Sequence, residues 1–161
     1  MMEYKTTDLC DAYPDKVVIA EPIGFKDYGG QKRFSGKVHT LKCYEDHAWV
    51  EKILKTDGTG KVLVVDGGGS MGCALTGDRL AGIGVENHWN GILIYGCIRD
   101  SVNISLLNIG VKALNIYPMS KVTNQEWQEN IPVSFAGITF KPGQFVYCDE
   151  DGIIVAEAAL C

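Results

Sequence analysis

Two short apolar runs, each giving out at an unusual turn, constrain this chain more than any other feature. Lys61–Asp66 (KVLVVD) is β-branched and ends at Gly67-Gly68-Gly69-Ser70. Ile92–Cys97 (ILIYGC) ends beside the charged pair Arg99-Asp100. Runs of this length, bounded by turn residues, read as strands. Between them Leu80, Ile83, Gly84 and Asn87 recur at helical spacing, and Asn90-Gly91 closes the segment. The order is strand, glycine loop, helix, strand, charged turn. Asp78 opens the helix, with twenty residues between it and Arg99. Loops at strand ends are where a rigid scaffold presents its chemistry. Two acids and an arginine converging there could hold a divalent metal and an anionic substrate together.

The flanks extend the alternation. Thr6 or Thr7 can cap a short helix over Asp8–Tyr13 that Pro14 stops, and Val17–Ala20 reads as a strand. Pro22–Gly36, with four glycines, reads as a loop. Lys37–Cys43 alternates as a half-buried strand with Val38, Thr40 and Lys42 on one face. Trp49, Val50, Ile53 and Leu54 make a helical face that Asp57-Gly58 ends. Asp100 can cap a helix running over Val102, Leu106 and Leu107 to Gly110, after which Lys112–Tyr117 resumes strand. From about Val133 the chain reads as short strands broken at Ala136-Gly137, Pro142-Gly143 and Glu150-Asp151-Gly152. The expectation is one α/β domain over residues 1–161: a central sheet flanked by helices, with a mostly β C-terminal part.

Bulk properties exclude several function classes. A net charge of −5 and the lack of a basic cluster argue against direct nucleic-acid binding and fit a basic protein partner better. No apolar run approaches the roughly 20 residues of a membrane span. The N-terminal MMEYKTTDLCD shows no secretory pattern, so a cytoplasmic protein is expected. Six cysteines lie scattered without a C-x-x-C pair, which predicts buried reduced thiols rather than zinc ligands or a catalytic nucleophile.

Each candidate motif has a plain structural alternative. The glycine run matches neither phosphate-binding pattern and has no following lysine, so it reads as a tight or anion-facing turn. Asp149-Glu150-Asp151-Gly152 lacks the remainder of a calcium loop and reads as a hairpin turn. His39, His47 and His88 are dispersed and read as surface or packing residues, and Trp49 and Tyr95 as core or interface aromatics. Asp78 and Asp100, taken singly, are helix caps. What raises them is Arg99, a charge at the end of an apolar strand that needs a partner: a metal, a carboxylate ligand or Asp78 itself.

At these residues the chain resembles the family that holds the regulators of ribonuclease activity A and the 4-hydroxy-4-methyl-2-oxoglutarate aldolases. The likeness runs from Thr7-Asp8-Leu9-Cys10-Asp11 through VLVVDGGGS at 62–70 to GIIVAE at 152–157. The aldolase signature, an aspartate, twenty residues and then Arg-Asp, is present as Asp78 and Arg99-Asp100. The resemblance implies a swivelling β/β/α domain, assembled as a homotrimer with sites between subunits. It implies that Asp100 anchors a divalent metal, Mg²⁺ or alternatively Mn²⁺, partly through water. Arg99 would bind the pyruvyl carboxylate or carbonyl oxygen. Gly77, Asp78, Arg79 and Leu80 would line the substrate with backbone amides, and Asp78 would orient the water that relays a proton. The pattern departs from many of the aldolases at Asn103, where they carry an acid.

Two functions follow, in different classes. One is a metal-dependent lyase that cleaves 4-hydroxy-4-methyl-2-oxoglutarate and decarboxylates oxaloacetate, since both reactions leave a pyruvate enolate whose charge a metal and Arg99 can stabilise. The other is a protein inhibitor of ribonuclease E or its degradosome, docking on a basic scaffold through an acidic surface. A third reading leaves the acids as caps only.

Overall fold

The two apolar runs lie side by side inside a ten-stranded sheet, and the computed structural model describes residues 3–161. In chain order, α1 (Thr6–Ala12) leads to β1 (Val17–Ile19) and the short β2 (Lys26–Asp27). Next come β3 (Phe34–Lys42), α2 (His47–Leu54) and β4 (Lys61–Asp66). The pattern repeats as β5 (Ala74–Thr76), α3 (Asp78–Glu86) and β6 (Gly91–Ile98), then α4 (Ser101–Ile104) and β7 (Gly110–Ile116). The last third holds β8 (Gln128–Glu129) and two hairpins, β9 (Val133–Phe135) with β10 (Ile138–Phe140), and β11 (Phe145–Asp149) with β12 (Gly152–Ala156).

Strands β3, β4, β6 and β7 are parallel neighbours, with Val64 beside Leu93 and Asp66 beside Tyr95 fixing the register of the central pair. Antiparallel β11, β12 and β1 extend the sheet beyond β3, and β2 extends it beyond β7. Parallel strands covered on both faces need continuous apolar runs rather than alternation, which is what KVLVVD supplies. Leu63 and Val65 pack with Val50, Ile53 and Leu54 of α2 and Leu80 and Ala81 of α3. Val62 and Val64 face the other way, onto Phe135, Phe140, Val146 and Val155. Each such aliphatic side chain, fully buried, contributes about 1.5–3 kcal/mol. The sheet is therefore clamped between helices and a β layer, and its strand ends are held rigidly.

Several local expectations are corrected. The helix after Asp100 is a single turn, because Val102 and Leu106 are 75% and 80% exposed and give it no face to bury. Gly110 starts β7 instead of ending that helix. Helix α1 begins at Thr6 rather than after it, and the Thr6 N–H and hydroxyl both donate to the Asp149 carboxylate at 2.7 Å. The glycine-rich 22–36 segment contains β2 and the start of β3, where Phe34 is in the core. Strand β3 is buried on both faces over Val38, Thr40 and Leu41, while Lys42 is exposed. Strand β5 had no sequence signal. All six cysteines are free; Cys43, Cys73, Cys97 and Cys148 are buried as expected, Cys10 is partly so and Cys161 is exposed. Burial raises the Cys97 thiol, so the cysteine nearest Arg99 is no ready nucleophile. No helix among the described residues is long and apolar enough to cross a membrane.

Candidate active site

The C-terminal ends of β5 and β6 stand side by side, since Thr76 pairs with Ile98 and the Arg99 N–H donates to the Thr76 carbonyl at 2.9 Å. One chain turns there through Gly77 into α3, and the other through Arg99-Asp100 into α4. Asp100 takes a left-handed conformation (φ 59°, ψ 41°), which an aspartate tolerates better than most residues and which recurs at functional sites. It stands at the N-cap of α4, where its carbonyl accepts the Ile104 N–H at 2.9 Å, but its side chain makes no cap hydrogen bond. Its Oδ2 instead accepts the Asp78 N–H at 3.1 Å, at the start of α3. Gly77 is extended (φ −118°), so its lack of a side chain matters for space: a Cβ there would lie 2.5 Å from Asp100 Oδ2 and 3.4 Å from Arg99 Cγ.

Asn103, one turn into the α4 segment, donates its Nδ2 to Asp78 Oδ2 at 3.0 Å. That donation holds the Asp78 carboxyl below the usual range for aspartate. A carboxylate held this low is a weak base but a permanent acceptor, suited to orienting a water. Arg99 donates Nη1 to the Pro118 carbonyl at 3.4 Å, a weak tie that leaves most of its fork for a ligand.

These groups surround a cavity of about 60 Å³ lined by Gly77, Asp78, Arg99 and Asp100, with Arg79 and Leu80 completing the wall. All six residues singled out in the sequence are thus brought together. Arg79 and Leu80 can offer backbone amides, because the Arg79 guanidinium is paired with Glu51 and the Leu80 side chain is in the core. That pairing, with Lys55 adding to it, pulls the Glu51 carboxyl down to about 2. The first amides of α3 have no intrahelical acceptor; Asp100 takes that of Asp78, and those that follow stand with Arg99 at an anion-binding corner. His47 and Ser120 also line the cavity. Neither was legible: His47 read as a lone surface or packing histidine, and Ser120 lies in an irregular segment far along the chain. The glycine run does not join this site. Gly68 and Gly69 (φ 69° and 70°) turn the chain beside a separate cleft of about 950 Å³, where Asp66 and Glu126 face one Lys42 and disfavour an acidic ligand.

The donor set can be tested against a divalent ion. Mg²⁺ is commonly held by one or two carboxylates, with water and substrate oxygens completing six positions. Asp78 and Asp100 supply two carboxylates at one corner, which fits a largely hydrated ion. No group of three or more His, Cys, Asp or Glu side chains among the described residues could form an all-protein cage, and Asn103 leaves the place of a third acid neutral.

Residues 6–155 match the family described as RraA-like: Aldolase/RraA. A protein of Aromatoleum aromaticum, provisionally named 4-hydroxy-4-methyl-2-oxoglutarate aldolase, is 50% identical over 159 residues, covering 99% of each chain. One of the same name from Pseudomonas putida is 48% identical over 160 residues, covering 99% of this chain and 98% of its own. Among solved structures, S-adenosylmethionine:2-dimethylmenaquinone methyltransferase from Geobacillus kaustophilus superposes with a TM-score of 0.94 at 41% identity, over 98% of this chain and 97% of that one. The RNA-processing inhibitor RraA from Thermus thermophilis gives 0.93 at 38% identity, over 99% and 96%. With relatives near half identical over the whole length and the family matched from Thr6 to Val155, this chain belongs to the RraA-like family.

Proposed function

We propose that the protein is a divalent-metal-dependent lyase that cleaves 4-hydroxy-4-methyl-2-oxoglutarate into two molecules of pyruvate and also decarboxylates oxaloacetate. The observation that carries this is the convergence of Asp78, Arg99 and Asp100 on one cavity at the start of α3. The relatives provisionally named as aldolases support the same reading. Asp100, with Asp78 beside it, would hold Mg²⁺ or Mn²⁺, which would act as a Lewis acid on the 2-oxo acid. Arg99 grips the substrate carboxylate with a planar fork, and the amides at the start of α3 that Asp100 does not take would add to that grip. Asp78 orients a water that takes the C4 hydroxyl proton. The C3–C4 bond then breaks, its electron pair moves onto the C2 carbonyl as an enolate, and the C4 fragment leaves as a ketone. Arg99 and the amides stabilise the enolate charge until C3 is protonated.

The test is pyruvate release from both substrates with Mg²⁺ or Mn²⁺, against a metal-only blank and with EDTA. Asp100→Asn keeps a residue that tolerates the left-handed turn but removes the charge. It should lose metal dependence and nearly all turnover. No release above the blank from either substrate would end the lyase reading.

A second reading, inhibition of ribonuclease E or its degradosome, is favoured by the RNA-processing inhibitor that shares the fold at 38% identity. An acidic surface docking on an arginine-rich scaffold would bind less tightly as salt rises and would survive Asp100→Asn. Calorimetry at two salt concentrations checks both. We place the protein in the cytoplasm as a homotrimer. Six free thiols suit a reducing compartment, and exposed Val102 and Leu106 beside the site suit a face that another copy covers.

A further inference from the structure

Pro118–Asn124 follows β7 as a strap without helix or strand, and it runs past the cavity. It contributes Ser120 to the lining and the Pro118 carbonyl to Arg99. A segment without a ladder of its own keeps its place only through what grips it. Ala74 of β5 grips it next to the cavity, its N–H donating to the Met119 carbonyl at 2.7 Å, and Tyr44–Asp46 together with His47, the first residue of α2, grip the stretch beyond. The Tyr44 carbonyl accepts the Thr123 hydroxyl at 3.3 Å, and the Glu45 carboxylate takes the Lys121 ammonium at 2.9 Å. The His47 N–H donates to the Lys121 carbonyl at 3.0 Å. Between them Asp46, 1% exposed, divides its two oxygens: Oδ1 caps α2 through the Ala48 N–H at 3.0 Å, and Oδ2 accepts the N–H groups of Thr123 at 3.1 Å and Asn124 at 2.9 Å.

We propose that Asp46 is a positioning residue for the site: its buried carboxylate clamps the strap so that Ser120 and the Pro118 carbonyl hold the Arg99 side of the cavity in shape. The inference rests on the lyase reading for its kinetic consequence. The division of labour within one side chain makes it separable from simple stability. A buried carboxylate can face three N–H donors, whereas an asparagine must turn its NH₂ toward either the strap or the helix and set donor against donor. A serine keeps a short oxygen for the α2 cap and cannot span to the strap.

Asp46→Asn and Asp46→Ser should therefore both free the strap, the serine variant with the α2 cap kept. By NMR, the Thr123 and Asn124 amides should exchange with solvent about tenfold faster or more, while β4 and β6 amides keep wild-type protection. With metal saturating, kcat/KM for the 2-oxo acid should fall about tenfold or more, mostly through KM, because Arg99 meets the substrate in the ground state. A purely structural role would lower the melting temperature and leave KM alone, and that result overturns the proposal, as does unchanged exchange at Thr123 and Asn124. Should neither Asp46 variant fold, Lys121→Met cuts the exposed tie to Glu45 and must raise KM in the same direction; an unchanged KM there refutes the clamp. A wild type that releases no pyruvate sinks the lyase reading instead, and the exchange rates then decide the clamp by themselves.

Discussion

Gly77→Ala is the sharpest probe of the site, because it adds one methyl group where the backbone does not object. Gly77 is extended, a conformation open to any residue, so no backbone strain arises. The new Cβ would instead lie 2.5 Å from Asp100 Oδ2, where ordinary contacts begin at 3.4 Å. The carboxylate must retreat by about 1 Å, and a displacement of that size in a reacting constellation costs about 100-fold, or about 2.7 kcal/mol of transition-state stabilisation. Exchanging glycine for alanine at the N-cap of α3 costs the fold only about 0.5–1 kcal/mol, a shift of about 1–4 °C in a chain of this size. Gly82 supplies the control: it lies in the same helix with nothing within 4 Å of a new Cβ, so Gly82→Ala should leave turnover alone and stabilise slightly. The assay is continuous pyruvate detection with Mg²⁺ titrated to saturation, beside a thermal melt. Turnover of Gly77→Ala within about twofold of wild type would refute the claim that the site depends on where Asp100 stands.

Three further outcomes are expected. Arg99→Lys should lose about 100-fold or more in kcat/KM even with metal saturating, since a point charge cannot replace the fork; wild-type turnover would refute bidentate binding. Asn103→Leu removes the amide that favours ionised Asp78, so the acid limb of kcat/KM against pH should move to higher pH, and an unmoved limb would show that Asp78 ionisation does not govern the rate. Asp149→Asn should cost about 1–3 kcal/mol of stability. Burial pushes the Asp149 carboxyl up, but hydrogen bonds from Thr6, Asp151 and Gly152 outweigh it and hold the carboxyl below the usual range. That stability is present above the unfolded value, about 3.9, and is lost as pH falls through the lower folded one, so the melting difference from wild type should shrink in acid.

The parallel centre was legible because burial on both faces writes itself as apolar runs. KVLVVD marks β4 to the residue, and ILIYGC falls inside β6. The helical face at Val50, Ile53 and Leu54 was legible for the same reason. What failed were elements whose form is decided by distant partners. Helix α4 stops after four residues although Leu106 and Leu107 follow, because only Ile104 of the turn is in the core. Thr6 has the composition of a cap, yet Asp149, remote in sequence, claims both of its donors. Strand β5 is three residues long and takes its shape from β6 beside it, so no periodicity announces it.

At the site the acids and the arginine were legible, and their partners were not. The spacing of Asp78 to Arg99-Asp100 places them at the ends of two adjacent strands, a consequence of the strand-helix-strand order alone. It does not reveal that the Asp100 side chain reaches back to the Asp78 N–H instead of capping its own helix, because that depends on a left-handed backbone at Asp100. Relatives by sequence carry the name of an aldolase, and two chains of almost the same backbone carry the names of a methyltransferase and an RNA-processing inhibitor, so the fold by itself does not choose among them. The choice falls to what stands at the ends of β5 and β6. A cavity of about 60 Å³ is well below the roughly 300–1,000 Å³ of sites that enclose a whole ligand. Within one copy it suits the reacting end of a small oxo acid, one carboxylate and one carbonyl. The rest of the substrate would then lie against what covers Val102 and Leu106, and that is why the proposed assembly and the proposed chemistry stand on the same corner of the molecule.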